Sequence, residues 1–420
     1  MGFQQGLSGL NASSKNLEVI GNNVANANTI GSKSSRAEFG DMYAAALNGA
    51  GSTSIGIGVN LQAVTQQFTQ GNITTTENPL DLAINGNGFF EVSNGAQTLY
   101  SRNGQFQADK SGFIINNSGM KLVGYPVDKN GIIQPGAAVP LALPTAGIDP
   151  SVTSKVVIEM NLDSRKATTL PVGTPQIDFT DAKTYNDATS VKVFDAKGQD
   201  VALTYYFQKA ATDTWNVYAT ANGTSVNVDA AGNPLPVTTV VFPPNGGAPT
   251  SPVGPVTMNI PASTNAVGAA VLAIPGVALN LAGATQFGSG FGVTSVVQDG
   301  YAAGQLAGVT IEKTGVVMAT YSNGQSKPAG QVELASFKNP QGLSPQGGNV
   351  WARTFSSGDP TLGTPGSGNL GVLQSGALEE SNTDLTAELV NMITAQRIYQ
   401  ANAQTIKTQD QVLQTLVNLR

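Results

Sequence analysis

Apolar residues recur at helical spacing at both ends of the 420-residue chain and at strand spacing between them. Near the N-terminus, Phe3, Leu7, Leu10, Leu17 and Val24 fall on one helical face, with Ser14 and Gly21 filling the skipped positions. The pattern predicts a helix to about residue 28. Near the C-terminus, Leu385, Met392, Tyr399, Ile406 and Leu413 recur every seven residues, and Leu389, Ala403 and Val417 sit four further on. Ser381-Asn382-Thr383-Asp384 supplies a start signal, with Glu379 and Glu380 placed where acids favour a helix N-terminus. That helix could run about 54 Å to Arg420.

Between these ends the period changes to two. Leu80–Ile84 leads into Asn85-Gly86-Asn87-Gly88, then Phe89-Phe90-Glu91-Val92. Asn103-Gly104, Ser111-Gly112, Ser118-Gly119, Asn130-Gly131 and Asn323-Gly324 punctuate short apolar stretches, the pattern of hairpins in an all-β domain. From Ala230 to Gln298 there are nine prolines and no charged residue. Long regular helix is excluded there, and the frequent Val, Ile, Leu and Phe favour strands and extended loops over a disordered linker.

Composition narrows the function. Twenty-one cations against 27 acids leave a net charge of −6, and charged residues make up 11% of the chain. Nucleic-acid binding is disfavoured, because it needs a dense cationic patch. No apolar run is long enough to predict a membrane span. The opening Met1-Gly2-Phe3-Gln4-Gln5-Gly6-Leu7 has neither the basic and apolar regions of a signal peptide nor the myristoylation pattern. Cysteine and histidine are absent, which removes disulfides, thiolate or imidazole metal ligands and the commonest general base.

No motif rises to a catalytic, metal or cofactor site. Asn85–Gly88 lacks the Gly-Lys-Ser/Thr ending of a phosphate loop and reads as a hairpin turn. Asp128-Lys129-Asn130-Gly131 and Asp195-Ala196-Lys197-Gly198 lack the ligand spacing of a calcium loop and read as turns. Glu379 and Glu380 would point to different sides of a helix, so they form no acid–base pair across a cleft.

The two terminal stripes are narrow and well matched, and they predict that the ends pair as a coiled coil. An isolated pair of this size is marginal, because ordering the ends costs about as much as their burial returns. The expectation is that the ends become ordered against neighbouring copies.

Asn22-Asn23-Val24-Ala25-Asn26-Ala27-Asn28-Thr29-Ile30-Gly31-Ser32-Lys33 resembles the N-terminal signature of the bacterial flagellar axial proteins, the rod and hook family. On the family's motif the matching positions are Asn23, Ala25, Asn26, Asn28, Thr29, Gly31 and Lys33. Ser32 departs, standing where many members carry an aromatic residue. Ser375–Glu379, Leu389–Ile393, Gln396-Arg397 and Gln404–Thr408 are similar to the C-terminal signature, and Asn85–Phe90 and Gly342–Asn349 to the family's core β domain.

The resemblance implies a mainly β fold with α-helical termini. Residues 1–30 and 377–420 would form a coiled coil, 31–145 and 297–376 a β core domain, and 146–296 an inserted outer β domain. That insertion of roughly 150 residues points to the hook branch rather than to the shorter rod members. The implied function is structural: copies form a helical tube that transmits torque while bending. The implied partners are the chain itself, the distal rod, cap and junction proteins, and the flagellar type III export apparatus, with no cofactor. Phe3, Leu7, Leu10, Leu17, Val24, Leu385, Leu389, Met392, Tyr399, Ile406, Leu413 and Val417 are the expected assembly residues. The rival readings are a distal rod or junction subunit, a secreted β-rich adhesin, and a carboxylate enzyme with two acids across a cleft.

Overall fold

The computed structural model describes residues 2–42, 56–128, 131–169, 173 and 176–418. The chain forms two compact units: Met1–Thr145, Gly308–Thr320 and Ser326–Arg420 make the first, and Ala146–Ala307 with Tyr321–Gln325 the second.

The first unit carries both terminal helices, α1 (Gly2–Ala25) and α2 (Leu385–Asn418). Asp384 caps α2, its Oδ1 accepting the N–H groups of Thr386 at 2.9 Å and Ala387 at 3.1 Å, which have no partner inside the helix. The helices pair antiparallel: Gly6 faces Ile406, Gly9 faces Asn402, and Asn23 reaches Glu388. In that register α2 continues roughly nine residues, about 13 Å, past the first residue of α1.

A hairpin of β1 (Ser35–Met42) and β2 (Gly58–Gln66) lies along α1. The Ser8 hydroxyl donates to Val59 O at 2.6 Å and accepts from Val59 N–H at 2.7 Å, and the Gln5 amide donates to Gly56 O at 2.7 Å.

The β core of this unit is centred on Phe89–Ser93, which pairs antiparallel with Thr98–Ser101, Lys121–Tyr125 and Leu334–Ser336. Phe90, Val92, Leu122, Val332 and Leu334 are fully buried in one cluster. On the other side of the sheet, Phe89, Tyr100, Phe337 and Trp351 meet edge to face, with Phe68 packed against them.

Ser111-Gly112, Ser118-Gly119 and Asn323-Gly324 each turn between strands that pair with each other. Asn85–Gly88 does not. Leu82–Asn85 pairs with Val372–Ser375, while Phe89–Ser93 enters a different sheet, so this turn carries the chain between sheets instead of closing a hairpin. Asn103-Gly104 likewise joins strands that do not pair with each other, because Thr98–Ser101 and Phe106–Ala108 have other neighbours.

The second unit is also β. Asp187–Phe194, Asp200–Ala211 and Thr214–Ala221 form an antiparallel meander. Lys155–Asn161 lies between Ile274–Asn280, in parallel, and Gly292–Gln298, antiparallel. Trp215, Tyr205, Phe207, Ile158 and Leu279 fill its core. The proline-rich stretch contributes strands such as Thr238–Val241 and Val256–Ile260. Asp195 makes a turn, its Oδ1 accepting from Lys197 N–H and Gln199 N–H at 2.8 Å each.

Candidate assembly site

Two features of the first unit bring the chain ends together. One is the helix pair. The other is a buried ionic knot at its base.

On α1 the buried positions are Gly6, Ser13, Ile20 and Asn23, and on α2 Ala395 is buried. A Cβ added at Gly6 would lie 3.0 Å from Ile406 Cγ1, and one at Gly9 would lie 2.8 Å from the Asn402 amide. Small residues therefore let the helices approach closely. Of the apolar stripes, Ile406 lies on this seam against Gly6, and the exposed members flank it. Phe3, Leu7, Leu385, Leu389, Tyr399, Leu413 and Val417 are exposed, and Leu10, Leu17, Val24, Met392 and Ile406 are half-buried. Val390, Ile393, Ile398 and Val412 on α2 add to the exposed apolar surface.

The ionic knot joins three distant parts of the chain. Ile73–Thr75 pairs antiparallel with Ala377–Glu379, which draws the C-terminal segment into the β core. Glu379 is thus a strand residue, not part of the helix start; α2 begins six residues later, and Asp384 supplies its cap. The Glu379 carboxylate is wholly buried, with Lys33 Nζ 2.6 Å from Oε1 and Arg102 Nη1 3.0 Å from Oε2. Gly71 N–H also donates to Oε1, at 2.9 Å. Lys33 donates further to Thr69 O at 2.7 Å, and Arg102 to Gly86 O at 2.9 Å.

Burial lowers the pKa of both cations, and the Glu379 charge opposes that shift. The Arg102 guanidinium also lies 5.4 Å from the centre of the Phe89 ring, which ties the knot to the aromatic cluster.

The signature residues surround this knot. Gly31 donates its N–H to Glu379 O at 2.8 Å and has φ +70°; a Cβ there would sit 2.5 Å from Asn103 N. Only glycine fits such a position without strain. Asn23 clamps β1 through both sides of its amide, to Ser35 N–H and Ser35 O at 2.8 Å each, and donates to Glu388 Oε1 at 3.0 Å. Asn26 donates to Asn22 O, and Thr29 to Asn26 Oδ1, closing the turn after α1. Ser32 is buried in that turn, while Ala25 and Asn28 are exposed.

Reading the sequence placed Asn382 in the helix-start signal without its role: it accepts from Ser34 N–H and donates to Gln67 O, at 2.7 Å each. Asn349 was likewise noted only within the Gly342–Asn349 segment, and it donates to Ile30 O at 2.8 Å. Among the described residues, no group of three or more acidic side chains is placed to hold a metal ion.

Family models match in chain order: the flagellar basal body rod protein at residues 3–33, the flagellar hook protein FlgE/F/G D1 domain at 83–166, the flagellar basal body protein FlaE D2 domain at 161–301, and the flagellar basal body rod FlgEFG C-terminal region at 374–419. The chain is 42% identical over 425 residues to the flagellar hook protein FlgE of Escherichia coli K12, covering all of both chains. It is 32% identical to that of Brucella suis, covering 100% of this chain and 98% of the relative. The counterpart in Borreliella burgdorferi is 31% identical, with 99% and 98% covered. The crystal structure of Helicobacter pylori flagellar hook protein FlgE2 shares the fold, with a TM-score of 0.51 over 72% of this chain and 99% of that one, at 16% identity. The chain belongs to the flagellar hook protein family.

Proposed function

We propose that copies of this chain polymerise into the flagellar hook, the tubular joint that carries motor torque to the filament while bending. Full-length kinship with hook proteins supports this reading, and the exposed apolar flanks of α1 and α2 carry it physically. Large apolar side chains lining both flanks of a helix pair are what a further helix covers. Phe3, Leu7, Leu385, Leu389, Tyr399, Leu413 and Val417 are the proposed contacts to neighbouring copies, with Leu10, Leu17, Val24, Met392 and Ile406 beside them. Such contacts are heterologous and non-closing, which builds a helical filament instead of a ring.

The buried Lys33–Glu379–Arg102 knot then has a mechanical role. It fixes the roots of both helices to the β core, so that axial load on the helices reaches that core through buried charge pairs and a strand pairing. The weakly charged surface of the second unit would suit contacts that slide as the tube bends, since no specific ion pairs need separating. The finer partners we propose are the distal rod, cap and junction proteins, with delivery through the flagellar type III export apparatus.

Purified chains should assemble into curved tubes visible by electron microscopy, and amides of α1 and α2 should exchange hydrogen more slowly in the polymer than in the monomer. Equal protection in both states would remove the neighbouring-copy role of the ends. A deletion strain lacking the curved segment would separate a hook subunit from a distal rod or junction subunit.

A further inference from the structure

We propose that the loop Arg353–Asp359 is a copy-to-copy contact in which Phe355 inserts into the surface of a second chain; this rests on the hook-subunit reading above. Phe355 is fully exposed, at 104% relative accessibility, in an otherwise polar turn of sequence Arg-Thr-Phe-Ser-Ser-Gly-Asp.

The loop around Phe355 is held rather than loose. Thr354 N–H donates to Ser357 Oγ at 2.9 Å, Ser357 Oγ donates to Thr354 O at 2.9 Å, and the Thr354 hydroxyl accepts from the N–H groups of Ser356 and Ser357. The Thr354 hydroxyl donates to Gly342 O, and Asn339 donates to Ser356 O at 3.0 Å, so the segment around the short helix Pro340–Gly342 braces the turn from outside. Ser357, two residues on, is 1% exposed. A Cβ added at Gly342 would lie 2.6 Å from Ser356 C and Ser357 N, which shows how closely the two segments are packed. The turn therefore cannot fold the ring back onto its own unit without breaking this network. An aromatic anchor presented by a pre-organised turn loses little conformational freedom when it docks.

Charge favours a second copy as the occupant. Arg353 and Asp359 form an ion pair at the base of the loop, so the loop itself is neutral. Two chains that each carry a net charge of −6 meet there without like-charge repulsion. In a homopolymer, copies of the chain are also the partners present at every position.

The natural chain has no cysteine, so Phe355→Cys places a single thiol on the loop. Labelled there with a polarity-sensitive fluorophore and doped sparsely into unlabelled chains, it should shift to the blue on tube growth. A photo-crosslinker at the same thiol should capture a peptide of a second copy. Phe355→Ala should raise the critical concentration for assembly about tenfold with an unchanged unfolding midpoint, and Phe355→Trp should restore it. Curved tubes from the natural chain, with a label that stays in water and an unaltered critical concentration for Phe355→Ala, would overturn the contact while leaving the hook reading intact. Failure of the natural chain to form tubes would overturn the hook reading and this contact with it.

Discussion

Lys33 and Glu379 lie 346 positions apart in sequence, yet their charged atoms meet at 2.6 Å with neither side chain exposed. Arg102 completes the site from a third part of the chain. Removing one member of a buried ion pair is far more costly than the pair is stabilising, because the remaining charge is left in a medium that does not solvate it. Glu379→Ala leaves two buried cations facing each other and should destabilise the first unit by about 3–5 kcal/mol. Lys33→Met leaves Glu379 paired with Arg102 and should cost less. Denaturant unfolding of the full chain checks the order, and equal losses for the two variants would refute the arrangement.

The glycines of the N-terminal segment should divide by environment. At Gly31 a methyl group would collide with the Asn103 and Arg102 backbone, and φ is +70°. Gly31→Ala should cost at least about 2 kcal/mol. Gly21 lies inside α1 with open space around its Cβ direction. Gly21→Ala should stabilise the helix by roughly 0.5–1 kcal/mol. Thermal unfolding and helix content of the monomer test both changes.

What could be read in the sequence was local. The two helices were legible because their apolar side chains repeat, and α2's start because Asp384 is adjacent to it. The hairpin at Ser118-Gly119 was legible because its strands are neighbours in sequence. The seam was not, since Gly6, Gly9 and Ser13 carry no hydrophobic signal and act through what they leave out. Apart from Ile406, which meets Gly6, the exposed apolar residues marked the flanks, and the contact line lies between them. Glu379 read as a helix-start acid because both of its partners come from far upstream. Asn85–Gly88 read as a hairpin because the partner of Leu82–Asn85 enters nearly 290 residues later. Asn23 stood out as part of a signature, but its work as a clamp on β1 depends on a strand that the pattern did not reveal.

A second buried charge cluster should make stability depend on pH. Glu91 and Glu333 follow and precede the paired residues Phe90 and Leu334, and both are buried, with one carboxyl oxygen each lacking a hydrogen-bond partner among the described residues. Tyr125 donates to Glu333 Oε1 at 2.7 Å, and Tyr100 stands opposite Glu91. Burial, reinforced by the Glu333 charge, pushes the Glu91 carboxyl up to about 7 from its ordinary 4.5, and burial raises Glu333 as well. The folded-state value lies above the unfolded one, so the stabilising effect of the protonated form is complete below about pH 4.5 and is lost as pH rises through 7. Glu91→Gln abolishes that loss. Relative to the natural chain, it should gain about 1–3 kcal/mol at pH 8 and little or nothing at pH 4.5. Unfolding curves at the two pH values decide it; a gain independent of pH would rule out titration of Glu91 as the cause.

Charge placed on the flank of α2 should separate folding from assembly. Leu389 and Ile393 are 44% and 52% exposed, one helical turn apart, and neither lies on the seam with α1. Lysine has nearly the same helix propensity as leucine, so Leu389→Lys should alter monomer stability by no more than about 0.5 kcal/mol, with Ile393→Lys similar. If the proposed assembly contacts hold, a neighbouring helix covers that flank in the tube, and a buried unpaired ammonium is costly. Each substitution should therefore leave the monomer's circular dichroism and melting midpoint almost unchanged while abolishing tube formation in sedimentation and electron microscopy. Tubes that grow normally from either lysine variant would place this face in solvent and move the assembly contact elsewhere on the helix pair.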